Sequence, residues 1–242
     1  MTWVGKDSKA TIARVNDALQ ITYPALCARG TCGSKVGMNA RASPPCCFPA
    51  TAVELGYQVW FSPDFNFQNA GKLPGMWLGD AGASGGTWLA KGGSCRVMWR
   101  LPEKRDASKA SAVAYVYIPT QVGGSQDAAV RAQNMGDLAH ATGASGIDIW
   151  RSGADIMPLR NGWNDVALTV GLNAIGAKDG YITMRVNGVT RTVRGMTWRT
   201  TDDIKLNGIT LTSWFGGSTY TTYGSPRDEV AQLRGFWVRK LQ

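Results

Sequence analysis

Met184-Arg185-Val186-Asn187-Gly188-Val189-Thr190-Arg191-Thr192-Val193 carries the decisive fold signal. Two β-branched runs flank Asn-Gly, the dipeptide that best tolerates the two positive φ angles of a two-residue hairpin turn. Working outward, seven further segments read as strands by composition and alternation. With the hairpin arms at 180–186 and 190–193, the candidates are 51–61, 94–100, 111–118, 147–151, 164–172, 206–215 and 229–240. Turn signals such as Lys178-Asp179-Gly180 separate them. No strand–helix alternation and no internal repeat interrupts the series. The pattern therefore predicts an all-β sandwich or barrel.

Before residue 50 the reading changes. Ser8 can cap a short helix with Ile12, Val15 and Leu19 on one face. From Thr22 to Pro49 the chain is rich in Pro, Gly, Ser and Cys and reads as irregular wrapping structure. Cys27, Cys32, Cys46 and Cys47 cluster there, and Cys95 stands apart in a strand as a core residue. No C-x-x-C pair supports zinc, and the sole histidine, His140, lies far away. Two disulfides within the cluster are expected, with reduced buried thiols as the alternative.

The 242 residues suit one all-β domain. Apolar residues reach 44% and charged ones only 18%, which excludes a disordered chain. The net charge is +9, so polyanions are the natural partners. No basic run and no nucleic-acid signature points to nucleic acid. Nor is there an apolar segment of membrane-spanning length, so no membrane partner is expected. Ten tryptophans are many for this length; most are expected in the core, and those in excess of core needs often line sugar- or base-binding surfaces. Gly75 to Gly93 holds seven glycines with Trp77 and Trp88, which predicts a glycine-rich lid with two aromatic anchors.

Alternation sorts the residues that could do chemistry. In 94–100 one face carries Ser94, Arg96, Met98 and Arg100, and Cys95, Val97 and Trp99 face the core. In 111–118 Tyr115 and Tyr117 share a face opposite Ala112, Ala114, Val116 and Ile118. If the two strands are neighbours, serine, arginines and tyrosines share one exposed surface. A solvated outer face with ordinary strand tyrosines fits the same alternation. No G-x-S-x-G elbow, HExxH, Walker or dinucleotide motif occurs, and His140 reads as a surface residue. A glycoside hydrolase wants paired carboxylates. Here Asp64 and Glu103 sit in turns, and only Glu54 lies within a strand near the candidate face. Tyrosine, lysine and arginine instead suit elimination from a uronate. Arginine matches the carboxylate, lysine or tyrosine can take the C5 proton, and tyrosine can protonate the leaving oxygen.

Tyr57-Gln58-Val59-Trp60-Phe61-Ser62-Pro63-Asp64-Phe65-Asn66-Phe67, followed by Gly71-Lys72-Leu73-Pro74-Gly75, resembles polysaccharide lyase family 14. The resemblance runs on through 94–100, Tyr115-Val116-Tyr117, Gly162-Trp163-Asn164, Val186-Asn187-Gly188 and Trp214-Phe215-Gly216-Gly217. It implies an antiparallel jelly-roll β-sandwich with a concave substrate cleft. Residues 1–242 would form one lyase domain, with 51–242 as its core. It also implies β-eliminative cleavage of 1,4-linked uronate polymers, glucuronan or alginate, without metal or cofactor. Lys72, Tyr115, Tyr117 and Arg96 take the catalytic positions, and Ser94, Arg100, Trp77 and Trp88 bind substrate. Lys72 is expected at the cleft edge, where Gly71 leaves a strand and Pro74-Gly75 turns. Its cation would favour the Tyr115 phenolate. Which of the two is base and which acid stays open, and unshifted groups would give an alkaline optimum. A monomer acting outside the cell or with a virus on a cell-wall polymer is expected. The competing reading is a non-catalytic acidic-glycan-binding module on the same fold.

Overall fold

The computed structural model describes residues 2–3, 11–32, 37–101, 110–122, 139–141, 146–150, 157–159, 162–217 and 220–242. Ser8 and Glu103 lie outside the described residues, as does the His140 side chain. The strands are β1 (Thr2–Trp3), β2 (Thr11–Val15), β3 (Ala18–Tyr23), β4 (Gly37–Ala42), β5 (Ala52–Phe61), β6 (Ala70–Gly79), β7 (Gly92–Arg100) and β8 (Ala110–Tyr117). They continue with β9 (Ala139–Ala141), β10 (Ile147–Ile149), β11 (Met157–Leu159), β12 (Gly162–Gly171), β13 (Gly180–Val186), β14 (Val189–Met196), β15 (Leu206–Phe215) and β16 (Glu229–Lys240). One sheet runs β1-β4-β15-β6-β7-β8-β10-β9, with β11 also on β8, and the second runs β14-β13-β12-β5-β16-β3-β2. The two antiparallel sheets form a curled jelly-roll sandwich.

The Asn187-Gly188 turn forms as read, with φ of 50° and 83° and Val186 opposite Val189. Cys95, Val97 and Trp99 face the other sheet, fully buried. There Trp99 meets Phe61, Phe65 and Phe215 edge-on, with centroids 5.5–5.9 Å apart. Its indole N–H donates to the Phe67 carbonyl at 3.0 Å, so the buried donor is satisfied.

The segment before residue 50 departs from expectation. Ile12, Val15 and Leu19 lie on no helix: β2 and β3 form a hairpin that turns through Asn16-Asp17, and β3 continues the sheet onto β16. Asn16 accepts a φ of 54°, and Thr11, Ile12, Ile21 and Thr22 are β-branched, so turn chemistry and pairing override the helical spacing. β4 joins the first sheet beside β15. The jelly roll therefore includes residues assigned to the wrapping segment. Of the two expected disulfides one forms, Cys27–Cys32, while Cys46, Cys47 and Cys95 are free.

Lys72-Leu73-Pro74-Gly75 is not a turn. It lies within β6, a central strand between β15 and β7. Proline has no N–H for the ladder, so the register slips on both sides between Lys72 and Gly75. The carbonyls freed at this bulge find side chains. Thr212 Oγ1 donates to Leu73 O and the Tyr57 hydroxyl to Pro74 O, both at 3.3 Å.

Candidate functional site

The bulge decides what faces the cleft. Simple alternation from Lys72 would send Pro74 and Met76 to its side. Instead Lys72 pairs with Met98, Gly75 with Arg96 and Trp77 with Ser94, so Lys72 and Trp77 share the face of the β7 polar residues while Met76 turns into the core. Arg96 in turn lies opposite Tyr115, and Tyr115 opposite Asp148. One register line therefore crosses the sheet as Arg41, Thr210, Gly75, Arg96, Tyr115 and Asp148. Directly opposed residues in antiparallel strands point the same way, which gathers these groups although they are far apart in sequence.

Two glycines allow the close approach. A Cβ on Gly71 would sit 1.7 Å from the Trp99 ring, and one on Gly75 would sit 2.3 Å from the Cys95 carbonyl oxygen and 2.5 Å from Arg96 Cα. Gly71 thus seats the core indole and Gly75 brings β7, with Arg96, against the bulge. Gly146, at φ 139°, leaves the Tyr115 ring room: a Cβ there would lie 2.6 Å from its hydroxyl.

The face is not an open surface. Residues 80–91 fold down over it. The Ala83 carbonyl accepts from Ser94 Oγ at 2.7 Å and from the Arg96 guanidinium at 3.4 Å. The Gly86 N–H donates to the Tyr117 hydroxyl at 2.9 Å. Trp88, 8% exposed, packs on the Tyr117 ring with centroids 4.6 Å apart. Beneath this segment Arg96 keeps 3% exposure, and Lys72 is buried mid-strand at 7%, not at the cleft edge.

Lys72 Nζ sits 3.4 Å from the Tyr115 ring centroid and donates to Met98 Sδ at 3.1 Å. A thioether is a weak acceptor and carries no charge to hold the ammonium. Burial first, then the Arg96 and Arg100 guanidiniums, push the lysine well below its ordinary range. Tyr115 moves the other way, contrary to the expected phenolate: burial dominates, and neighbouring Tyr117 adds to it. The Tyr115 and Tyr117 hydroxyls are 3.0 Å apart. Burial, followed by Arg41 among the opposing groups, brings Arg96 down to about 10, still cationic at neutral pH.

The lysine, serine, arginines, tyrosines and tryptophans expected to catalyse or bind lie on or against this face. Lys72, Ser94, Arg96, Arg100, Tyr115 and Tyr117 form its floor. Trp77 is half-buried beside Arg41, whose guanidinium lies 5.7 Å from its ring. Trp88 braces Tyr117. The structure adds Asp148, fully buried and ion-paired to Arg100 at 3.0 Å, together with Gly146 and Arg41. A charge between two isoleucines in Ile147-Asp148-Ile149 was the available signal for Asp148. Glu54 belongs elsewhere, on the second sheet and bound to Arg239. Among the described residues no cluster of three or more His, Cys, Asp or Glu side chains forms a metal site.

The curled β-sandwich that carries this cluster is shared with solved alginate lyases. A family model, Polysaccharide lyase 14, matches residues 12–236, and the chain belongs to that family. The crystal structure of the alginate lyase of Aplysia kurodai is similar at a TM-score of 0.75 and 26% identity, over 98% of this chain and 88% of that one. An alginate lyase from Chlorella virus matches at a TM-score of 0.73 and 21% identity, over 96% and 89%. A third relative, Exolysin of Paramecium bursaria Chlorella virus 1, is 25% identical over 176 residues. These make up 68% of this chain and only 26% of that protein's length.

Proposed function

We propose that the protein cleaves 1,4-linked uronate polymers of the alginate or glucuronan kind by β-elimination, with Lys72 as base and Tyr115 as acid. The observation that carries this is the opposite displacement of two touching groups. Lys72 is driven toward the neutral amine and Tyr115 is held as the neutral phenol. Environments that push two titrations apart assign the acid and base roles. The membership in polysaccharide lyase 14 and the alginate lyase of Aplysia kurodai support the substrate class.

On this reading the residues divide the work. Arg96, with Arg100 beside it, pairs the substrate carboxylate and stabilises the charge that grows on it as the C5–H bond breaks. The lone pair of Lys72 Nζ takes that proton. The C5 electrons form the C4–C5 double bond, the C4–O bond breaks, and the Tyr115 hydroxyl protonates the leaving oxygen. Tyr117 holds the Tyr115 hydroxyl, and a proton passing from Lys72 to the phenolate restores both groups. Hydrolysis would need two carboxylates, whereas Asp148, the one within this cluster, is bound to Arg100.

The test is incubation with alginate, glucuronan and hyaluronan, following ultraviolet absorbance and reducing ends together. Elimination raises both. New reducing ends without absorbance would mean hydrolysis, and binding without either would leave the glycan-binding module.

A further inference from the structure

The outer face of the second sheet carries a groove that the cleft chemistry does not use. Trp237 is 41% exposed, and its indole lies flat on β5 at Gly56, where a Cβ would come within 2.1 Å of the ring. A bulge places it there. Gly235 takes a φ of 61° and the β16–β5 register slips between Arg234 and Trp237. Phe236 then stacks inward on Tyr57 at 5.5 Å while Trp237 turns outward. The register line from Trp237 continues through Gly56 and Ala167 to Arg185. Its two middle positions have almost no side chain, so they floor a trough of about 530 Å³.

The walls are chemically distinct. Gln58 is held by two bonds, accepting from Arg234 Nε at 2.8 Å and donating to Asp165 at 2.7 Å. Asp165 is itself exposed, which leaves oxygen for a hydroxyl donor. On the far side the exposed Arg185 has no ion-pair partner among the described residues. An exposed flat indole, oriented amide and carboxylate groups, and an unpaired guanidinium are the complement of a pyranose that bears hydroxyls and a carboxylate. The excess of nine positive charges favours an anionic chain over a neutral one.

We infer that this groove is a second, non-catalytic binding site for an acidic oligosaccharide. The pyranose face rests on Trp237, its carboxylate pairs with Arg185, and its hydroxyls meet Gln58 and Asp165. The inference rests on the reading that the cleft takes uronate polymers. A second site raises the local concentration of polymer at the enzyme without touching the chemistry.

Binding is measured by calorimetry in a Lys72→Ala background, so that substrate survives. The probes are an alginate oligosaccharide, a glucuronan oligosaccharide and a neutral β-glucan oligosaccharide. Two site classes are expected for a uronate and none for the neutral glycan. Trp237→Ala or Arg185→Gln removes one class and weakens retention on a polymer gel about tenfold, the scale of a truncated aromatic or arginine anchor. Each change alone, in the otherwise native enzyme, leaves turnover of a short oligosaccharide unaltered. Arg185 is exposed and has no ion-pair partner among the described residues, so its variant decides the matter if Trp237→Ala does not fold. One site class in the parent, unchanged binding in a folded Arg185→Gln, or burial of this face in a homodimer by sedimentation overturns the inference. Turnover with a single site class removes this inference alone. Neither turnover nor uronate binding anywhere removes the cleft reading as well.

Discussion

Gly75→Ala tests whether the bulge in β6 sets the catalytic geometry. The new Cβ would lie 2.3 Å from the Cys95 carbonyl oxygen and 2.5 Å from Arg96 Cα, where ordinary contact begins near 3.4 Å. Both obstacles are backbone, so no side chain can swing aside. β7 must retreat from β6 by about 1 Å, carrying Arg96 away from Lys72, and a misplacement of that size costs about 10² in rate. Overpacking of this kind also costs about 1–3 kcal/mol of stability. Gly216→Ala is the control, because its nearest neighbour would be 3.6 Å away. Initial rates from the ultraviolet absorbance of the unsaturated product, with thermal melts of all three proteins, make the comparison. The variant should stay folded at the assay temperature, with kcat down about 100-fold. Parent-like kcat in a folded Gly75→Ala protein would refute the claim that this approach positions Arg96.

Removing the Arg96 charge should do two things: lower the rate about 10²–10³-fold and, because that charge depresses the lysine, move the acid limb of the pH–rate profile upward. An Arg96→Gln profile with an unmoved acid limb would detach Arg96 from Lys72. Lys72→Ala and Tyr115→Phe should each cost about 10²–10⁴, with the double variant little worse than the poorer single one, as expected for groups acting as a unit. Full additivity in single-turnover assays would argue for separate roles. Because the folded-state pKa of Lys72 lies below its ordinary 10.5, the unfolded chain binds this proton more readily, and the resulting penalty grows as pH falls below 10.5. Lys72→Met should therefore stabilise the fold at neutral pH relative to its effect above pH 10.5, read by urea denaturation at both. Reducing Cys27–Cys32, which closes a short loop, should cost about 2 kcal/mol, measured by melts with and without reductant.

Much of the scaffold was legible because its signals are local. Asn187-Gly188 fixes a hairpin by backbone sterics alone, and strict alternation in 94–100 and 111–118 sorts core from cleft without knowledge of any neighbour. The lysine motif was found through family resemblance, yet its setting was misread, since Gly and Pro signal a turn wherever no flanking strands are known. The helix predicted over Ile12 to Leu19 failed for a related reason: a short apolar spacing fits two periods, and only pairing with β16 selects one.

What the sequence determined by itself was the β class, the two faces of β7 and β8, and the kinds of side chain offered to a polyanion. Tertiary structure alone decided three things: that Lys72 is buried, that a bulge aims it at the Tyr115 ring, and that Asp148 holds Arg100. The physical reason is that burial and register are properties of neighbours. Desolvation of Lys72 and Tyr115 depends on what covers them, and the line from Gly75 through Arg96 to Asp148 exists only once distant strands are hydrogen-bonded side by side.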